Sequence, residues 1–554
     1  MTSTTLPRST PSAQNVDAAG VSAFVDALES TAGVEPHSIM LLRHGRVVAE
    51  GWWAPYSADR VHLLYSLSKS FTSSAVGFAV AEGLMGLDDT VLSHFPELDA
   101  EVTDPRSRSM RVRHVLAMAS GHRAETLDRA LAIDPVDVVR GFLLTPPDDE
   151  PGTVFAYNQP CTFSVGAIVQ RVTGQSLTEY LRPRLFDPLG IGQVGWQRDG
   201  SGRELGFSGL HATTQAIAAL GQLYLQQGEW DGVQLLPREW VAEATRAHVS
   251  NAGEANPDWA QGYGFQFWIA RHGYRGDGAY GQFAVVLPEH DVVLALTGQS
   301  LDMQAVLDAA WTHLLPAFGA WAGAGADADA ASAGAGDGAG DAGPAGDGDA
   351  DAASAGGAGS AGAAGAAGAD AALAARLADL TLPGVAGPAE HDAAPVRPST
   401  EEAPVADQHS PGTERLVSFT AADGNDQPGL TVVELRSSAD AATTLTLVEA
   451  DDRLVARIEA EDWVVTAEGS GARAGAGSGA RAGDGSGSGS GSAGTPVATS
   501  ATRSADLLHV DVVFVETPHR LHLTLDEADG TFTALWETQP LHAPARAQLR
   551  MPRD

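Results

Sequence analysis

The residues best suited to chemistry lie in Tyr65-Ser66-Leu67-Ser68-Lys69-Ser70-Phe71. Lysine and arginine together number 34, and Lys69 is the only lysine. Arginine stays protonated at accessible pH, whereas a lysine withdrawn from water gives up its proton. A chain that uses arginine at every other such position therefore marks Lys69 as a candidate base. Residues three apart share a helix face, so a helical segment brings Ser66 Oγ within reach of Lys69 Nζ. A serine hydroxyl is a weak nucleophile and needs such a base. The free N–H groups at a helix start also suit a developing oxyanion. The competing reading is a solvated lysine beside a capping serine.

Two further segments carry suitable groups. In Gly152-Thr-Val-Phe-Ala-Tyr157-Asn158-Gln159, the Tyr157 phenol can relay a proton near the Ser66/Lys69 pair if cations lower its pKa. Its bland alternative is a packed tyrosine followed by a turn-forming Asn158. In Arg275-Gly276-Asp277-Gly278-Ala279-Tyr280, small residues before an apolar strand admit a substrate backbone. Here the alternative is a plain hairpin turn.

Elements to position these groups follow from periodicity. Ser38 to Glu50 reads as two short strands joined at His44-Gly45. Apolar residues at helical spacing run from Phe71 to Leu84, from Thr162 to Val172 and from Thr214 to Gln226. Gln282 to Pro288 and Asp291 to Thr297 read as buried strands turning at Glu289-His290. Strands at both ends with helices between predict an α+β fold: an antiparallel sheet flanked by helices, with a helical lobe. The predicted organisation is a mobile N-terminus over 1–20, this domain over 21–320, and a disordered Ala/Gly/Asp-rich linker over 321–409. A small β-rich domain over 410–554 follows, carrying a disordered Gly/Ser-rich insert at 468–500. That domain holds no catalytic constellation and reads as a lid or packing module.

Composition narrows the partners. A formal net charge of -36 repels phosphate backbones and argues against nucleic acid and anionic membrane surfaces. No apolar stretch long enough for a membrane span occurs, and the opening residues lack a secretion-signal pattern, so the cytoplasm is the expected compartment. The single cysteine, Cys161, allows no intramolecular disulfide and reads as a small core residue. No metal-ligand spacing or phosphate-binding glycine loop occurs, so neither metal nor cofactor is expected. His122 and His211 read as loop or supporting residues.

Together the three segments resemble the serine β-lactamase and penicillin-binding-protein superfamily, especially its class C and esterase-like branch. The resemblance runs over about residues 21–315 and includes Val112 to His122, Val172 to Leu181, Leu185 to Ile191 and Leu235 to Trp240. It implies an acyl-enzyme on Ser66, with Lys69 and Tyr157 sharing base and acid roles. It also implies substrate or oxyanion contacts at Asn158, Gln159, Asp277, Gly278 and Ala279, the oxyanion lying between the N–H of Ser66 and one near Ala279. Two positions depart from the family pattern. Gln159 stands where the family has Asn or Ser two residues after the tyrosine. Gly276-Asp277-Gly278 stands where the family opens its third motif with a cation. That change disfavours anionic substrates, unless Arg275 compensates rather than facing solvent. The expected activity is cleavage of a small-molecule ester or amide, ahead of a D-amino-acid peptidase or a β-lactamase. The alternative is a binding or regulatory protein that kept the fold and lost turnover.

Overall fold

The computed structural model describes residues 6–319, 356–385, 415–438, 441–450, 452–459, 462–466, 494–541 and 549–553. A central antiparallel sheet contains β1 (Pro36–Arg43), β2 (Arg46–Trp52), β3 (Trp268–Ile269), β4 (Tyr274–Gly278), β5 (Gln282–Leu287) and β6 (Val292–Gly298), in the order β2-β1-β6-β5-β4-β3. β1 lies against β6, with Ile39 opposite Leu296 and Leu41 opposite Leu294. Segments far apart in sequence thus meet in mid-sheet, as the strand pattern predicts. The turn between β1 and β2 uses His44 and Gly45 at φ +51° and +69°, the left-handed pair favoured in tight hairpins.

Side-chain alternation along the strands builds two cores. Met40, Leu42, Val286, Val293 and Ala295 face the helical lobe. Ile39, Leu41, Val285, Leu294 and Leu296 face the other side. That second face is covered by α1 (Ala18–Ser30), whose Val21, Phe24, Val25 and Leu28 are buried. The lobe side carries α2 (Ser68–Ala81), α3 (Gln159–Thr173) and α4 (Thr214–Leu225), and α4 packs on β5 and β6. α2 is buried on all sides from Ser68 to Ala79. Its hydroxyl-rich sequence suits that place, because Ser70, Thr72 and Ser73 donate to the carbonyls of Gln266, Gly206 and Phe265 at 3.1, 2.8 and 2.7 Å.

Three expectations about the flanks change. Residues 6–20 are packed rather than mobile: Ser9 N donates to Val47 O at 2.9 Å and Val47 N to Pro7 O at 2.8 Å. This segment covers the exposed edge of β2, and Leu6 and Val16 are buried with it. Within the stretch read as a linker, residues 356–378 form α5 (Gly356–Ala378). Leu373, Leu377, Leu380 and Leu382 enter the core over β2, and Arg376 pairs with Asp26 and Glu29 at 2.8 and 2.6 Å. Leucines four apart supply the apolar stripe that the surrounding Ala/Gly composition hides. Residues 321–355 and 386–409 of that stretch lie outside the described residues. So does most of the Gly/Ser-rich insert, but its end at 497–500 belongs to the strand Val497–Ser504.

Among the described residues the C-terminal part forms a nine-stranded sheet spanning Arg415 to Trp536. Its two edges nearly close, since Arg457 N donates to Thr466 Oγ1 at 3.1 Å. Alternating residues such as Val433, Leu445, Val510 and Leu523 fill its own core. This barrel seats on the sheet domain through Leu63 N to Glu516 O at 2.8 Å, Tyr56 Oη to Thr517 O at 3.1 Å and an Arg520–Glu35 ion pair at 2.8 Å. No helix among the described residues is long and apolar enough to cross a membrane.

Candidate active site

Ser66 sits in the 3-10 turn Tyr65–Leu67 that leads into α2. From Val61 to Ala79 it is the only residue that is not buried. Tyr65 holds a left-handed φ of +46°, a strained conformation for an aromatic residue, immediately before it. Lys69, 1% exposed, lies on the first turn of α2. Its Nζ donates to Ser66 Oγ at 3.0 Å, Gln159 Oε1 at 2.6 Å and the Phe207 carbonyl at 2.9 Å. It also lies 4.7 Å from the centroid of the Tyr157 ring. Burial lowers the Lys69 pKa to about 7, against the opposing pull of Glu125 and Asp277. An amine with that pKa is charged or neutral in comparable amounts near neutrality.

Tyr157 enters from the loop preceding α3 and stacks on Trp268, centroids 5.2 Å apart and planes 19° apart. The Ser66 side chain is among the groups that act on its hydroxyl. Burial, and secondarily Asp277, pushes the phenol pKa up, while Ser66 and Arg275 pull it down. The net direction is upward, so the expectation of a cation-lowered phenol is corrected: Tyr157 keeps its proton near neutrality.

The amides at the start of α3 separate. Gln159 is the residue that reaches Lys69, and its backbone N–H donates to Glu125 Oε2 at 3.0 Å. Asn158 turns the other way, its Oδ1 accepting from Thr126 N and Oγ1 at 3.0 and 2.9 Å. A substrate contact at the buried Asn158 side chain is therefore not what the geometry provides. At the helix start the two side chains point in opposite directions.

The third segment forms β4, which passes directly over the Tyr65–Leu67 turn. A Cβ at Gly278 would fall on the Leu64 carbonyl oxygen, and one at Gly276 on the Leu67 and Ser70 side chains. Glycine is thus required here for close approach. Ala279 follows, half-exposed, at the end of β4. Arg275 faces inward, not to solvent. Its Nε donates to Asp277 Oδ2 at 3.1 Å, its Nη1 to Asp258 O at 2.7 Å, and its guanidinium lies 4.2 Å from the Trp259 ring centroid. Burial raises the Asp277 pKa against the pull of Arg275, and lowers that of Arg275 against the pull of Asp277. The two charges offset each other beside the site.

Several neighbours carry no local signal in the sequence. Glu125, in the exposed loop before the helix Leu127–Ile133, reaches the Gln159 N–H, and the Phe207 carbonyl reaches Lys69, only through folding. Trp268 and Tyr263 wall the phenol. Cys161 is fully buried, with its thiol pushed up to about 12 by burial. His122 is held in a buried loop by Ser120 Oγ and Thr145 O at 2.9 and 3.0 Å. His211 lies in a short buried strand, Leu210–Ala212, rather than in a loop.

The sequence model of the family described as Beta-lactamase matches residues 21–319. Lovastatin esterase from Penicillium rubens is 30% identical over 168 residues, covering 26% of this chain and 42% of that protein. The 6-aminohexanoate-dimer hydrolase of Paenarthrobacter ureafaciens is 27% identical over 282 residues, covering 46% and 71%. Esterase EstB of Burkholderia gladioli is 26% identical over 213 residues, covering 34% and 54%. The first and third matches thus span only about half of those relatives' lengths. The extent of the family match, over the sheet and helices that hold Ser66 and Lys69, establishes that the chain belongs to the Beta-lactamase family.

Proposed function

We propose that the chain is a serine hydrolase that cleaves esters or amides of small molecules through an acyl-enzyme on Ser66. The observation carrying this reading is the 3.0 Å contact between Lys69 Nζ and Ser66 Oγ in a buried setting that lowers the amine pKa to about 7. The neutral amine accepts the hydroxyl proton as Ser66 Oγ attacks the substrate carbonyl. The tetrahedral oxyanion is received by the N–H groups of Ser66 and Ala279. Tyr157, protonated beside Ser66, delivers a proton to the departing oxygen or nitrogen, and the Lys69 ammonium restores it. Water then attacks the acyl ester by the same steps reversed, releasing the acid and Ser66.

With Arg275 committed to Asp277, uncharged esters and amides rank above β-lactams or peptides with a free carboxylate. The competing reading is a scaffold that has lost turnover. It draws on the 2.6 Å contact by which Gln159 favours charged Lys69.

The test is a fluorophosphonate mass adduct on Ser66, absent in Ser66→Ala, followed by turnover of an ester and amide panel. An adduct that persists in Ser66→Ala overturns the assignment. Turnover that is unchanged in Lys69→Ala overturns the role of the lysine. Turnover that requires Lys69 removes the competing reading.

A further inference from the structure

A cavity of about 590 Å³ lies between the helical lobe and the C-terminal segment that follows the last barrel strand. Leu127, Val138, Phe163 and Phe207 line it from the lobe. Leu541, Leu549 and Met551 line it from the C-terminal part. It adjoins the site at two points. Tyr65, the residue before Ser66, is part of its wall, and Phe207 gives its carbonyl to Lys69. Its size falls in the range of small-molecule pockets, about 300–1,000 Å³.

The C-terminal wall is fixed in place. Tyr65 Oη bonds His519 Nε2 at 2.6 Å, and Met551 N donates to Glu516 Oε2 at 2.7 Å. Met551 also presses on Gly195, where an added Cβ would lie 2.6 Å from its Cγ. Around the cavity, Leu131, Val136 and Leu541 stay 36%, 55% and 43% exposed. Large apolar side chains held in water at one lining point to an apolar occupant. Arg198, Asp199, Arg550 and Arg553 complete the lining with charges of both signs.

We propose that this cavity receives the apolar part of the substrate of Ser66, so that the C-terminal segment following the last barrel strand, through Leu541, Leu549 and Met551, supplies a specificity-determining wall of the site. The inference rests on the proposed role of Ser66. It assigns that terminal segment a share in substrate choice in place of mere packing. Each additional methylene of the substrate that enters such a chamber speeds acylation about fourfold until the space is filled.

The test uses the full chain and two fluorophosphonate probes, ethyl and decyl, with Ser66 labelling rates read by intact mass. The expected decyl-to-ethyl ratio is at least about tenfold, falling about tenfold in Leu541→Asp and in Val136→Asp. It persists in Val233→Asp, an exposed position outside this cavity. Circular dichroism melts verify that each variant is folded. A ratio near one in the wild type, or one unmoved in both wall variants, overturns the inference while leaving Ser66 as nucleophile. Failure of both probes to label Ser66 overturns the functional reading itself. Two ester series, one lengthened in the acyl chain and one in the alcohol, tell which side fills the chamber. Indifference to both lengths also overturns it.

Discussion

The Tyr65 hydroxyl donates to His519 Nε2 across 2.6 Å, joining the residue before Ser66 to the C-terminal barrel. His519 Nδ1 donates in turn to the Thr538 carbonyl at 3.0 Å, which leaves Nε2 as the acceptor. Tyr65→Phe therefore strands a buried acceptor and is expected to lower stability by about 1–3 kcal/mol. A double-mutant cycle with His519→Leu, followed by urea denaturation, measures the coupling. A coupling energy indistinguishable from zero argues against this link.

Lys69 sets the second expectation. In the proposed mechanism its neutral form is the base, so kcat/KM is expected to fall as pH drops below about 7. Gln159 stabilises the charged form by accepting at 2.6 Å. Gln159→Leu removes that acceptor, so the amine pKa drops and the acidic limb of the profile moves to lower pH. Lys69→Arg cannot deprotonate and is expected to lose activity by roughly a hundredfold to ten-thousandfold. A pH–rate profile on a chromogenic ester checks both, and an unmoved limb in Gln159→Leu rules out this role for the amide.

Gly278→Ala places a methyl on the Leu64 carbonyl oxygen. Either β4 or the Tyr65–Leu67 turn must shift, at about 1–3 kcal/mol. Both stability and kcat/KM should fall together, since the turn carries Ser66. Chemical denaturation paired with ester turnover tests this. Intact stability and rate would mean that the strand yields without effort.

Acid should weaken the fold from a specific pH. Burial holds His37 and His62 well below the ordinary range, His211 at about 4 and His519 at about 3. In the unfolded chain each titrates near 6.5, so below that pH the unfolded state takes up protons that the folded state refuses. Their stabilisation is complete above about pH 6.5 and drains away as pH falls towards 3, by up to roughly 1.4 kcal/mol per pH unit for each histidine. His522 works in the opposite window. Asp511 and Glu537 raise it to about 9, so its contribution is full below about pH 6.5 and lost as pH rises through 9. Urea midpoints should therefore peak near neutrality, and equal midpoints at pH 5 and 7 would contradict the account.

By itself the sequence determined the pairing of Ser66 with Lys69 and the frame around it. A sole lysine three residues after a serine, at the head of an apolar helix, is a local pattern. So are the alternating strands that meet in mid-sheet and the Gly174 that ends α3 with φ +67°. Such features depend on neighbours a few positions apart, within the reach of helix and strand periodicity. Tertiary structure decided the rest. Nothing local distinguishes Gln159 from Asn158, or predicts that Arg275 turns inward to Asp277. The leucines of α5 were masked by composition, and the packing of residues 6–20 depends on a strand edge that only the assembled sheet exposes. Burial, which brings Lys69 to about 7 and keeps the Tyr157 phenol protonated, is a property of the whole packed interior. Desolvation is set by everything that excludes water from a group, and most of those atoms lie far away along the chain.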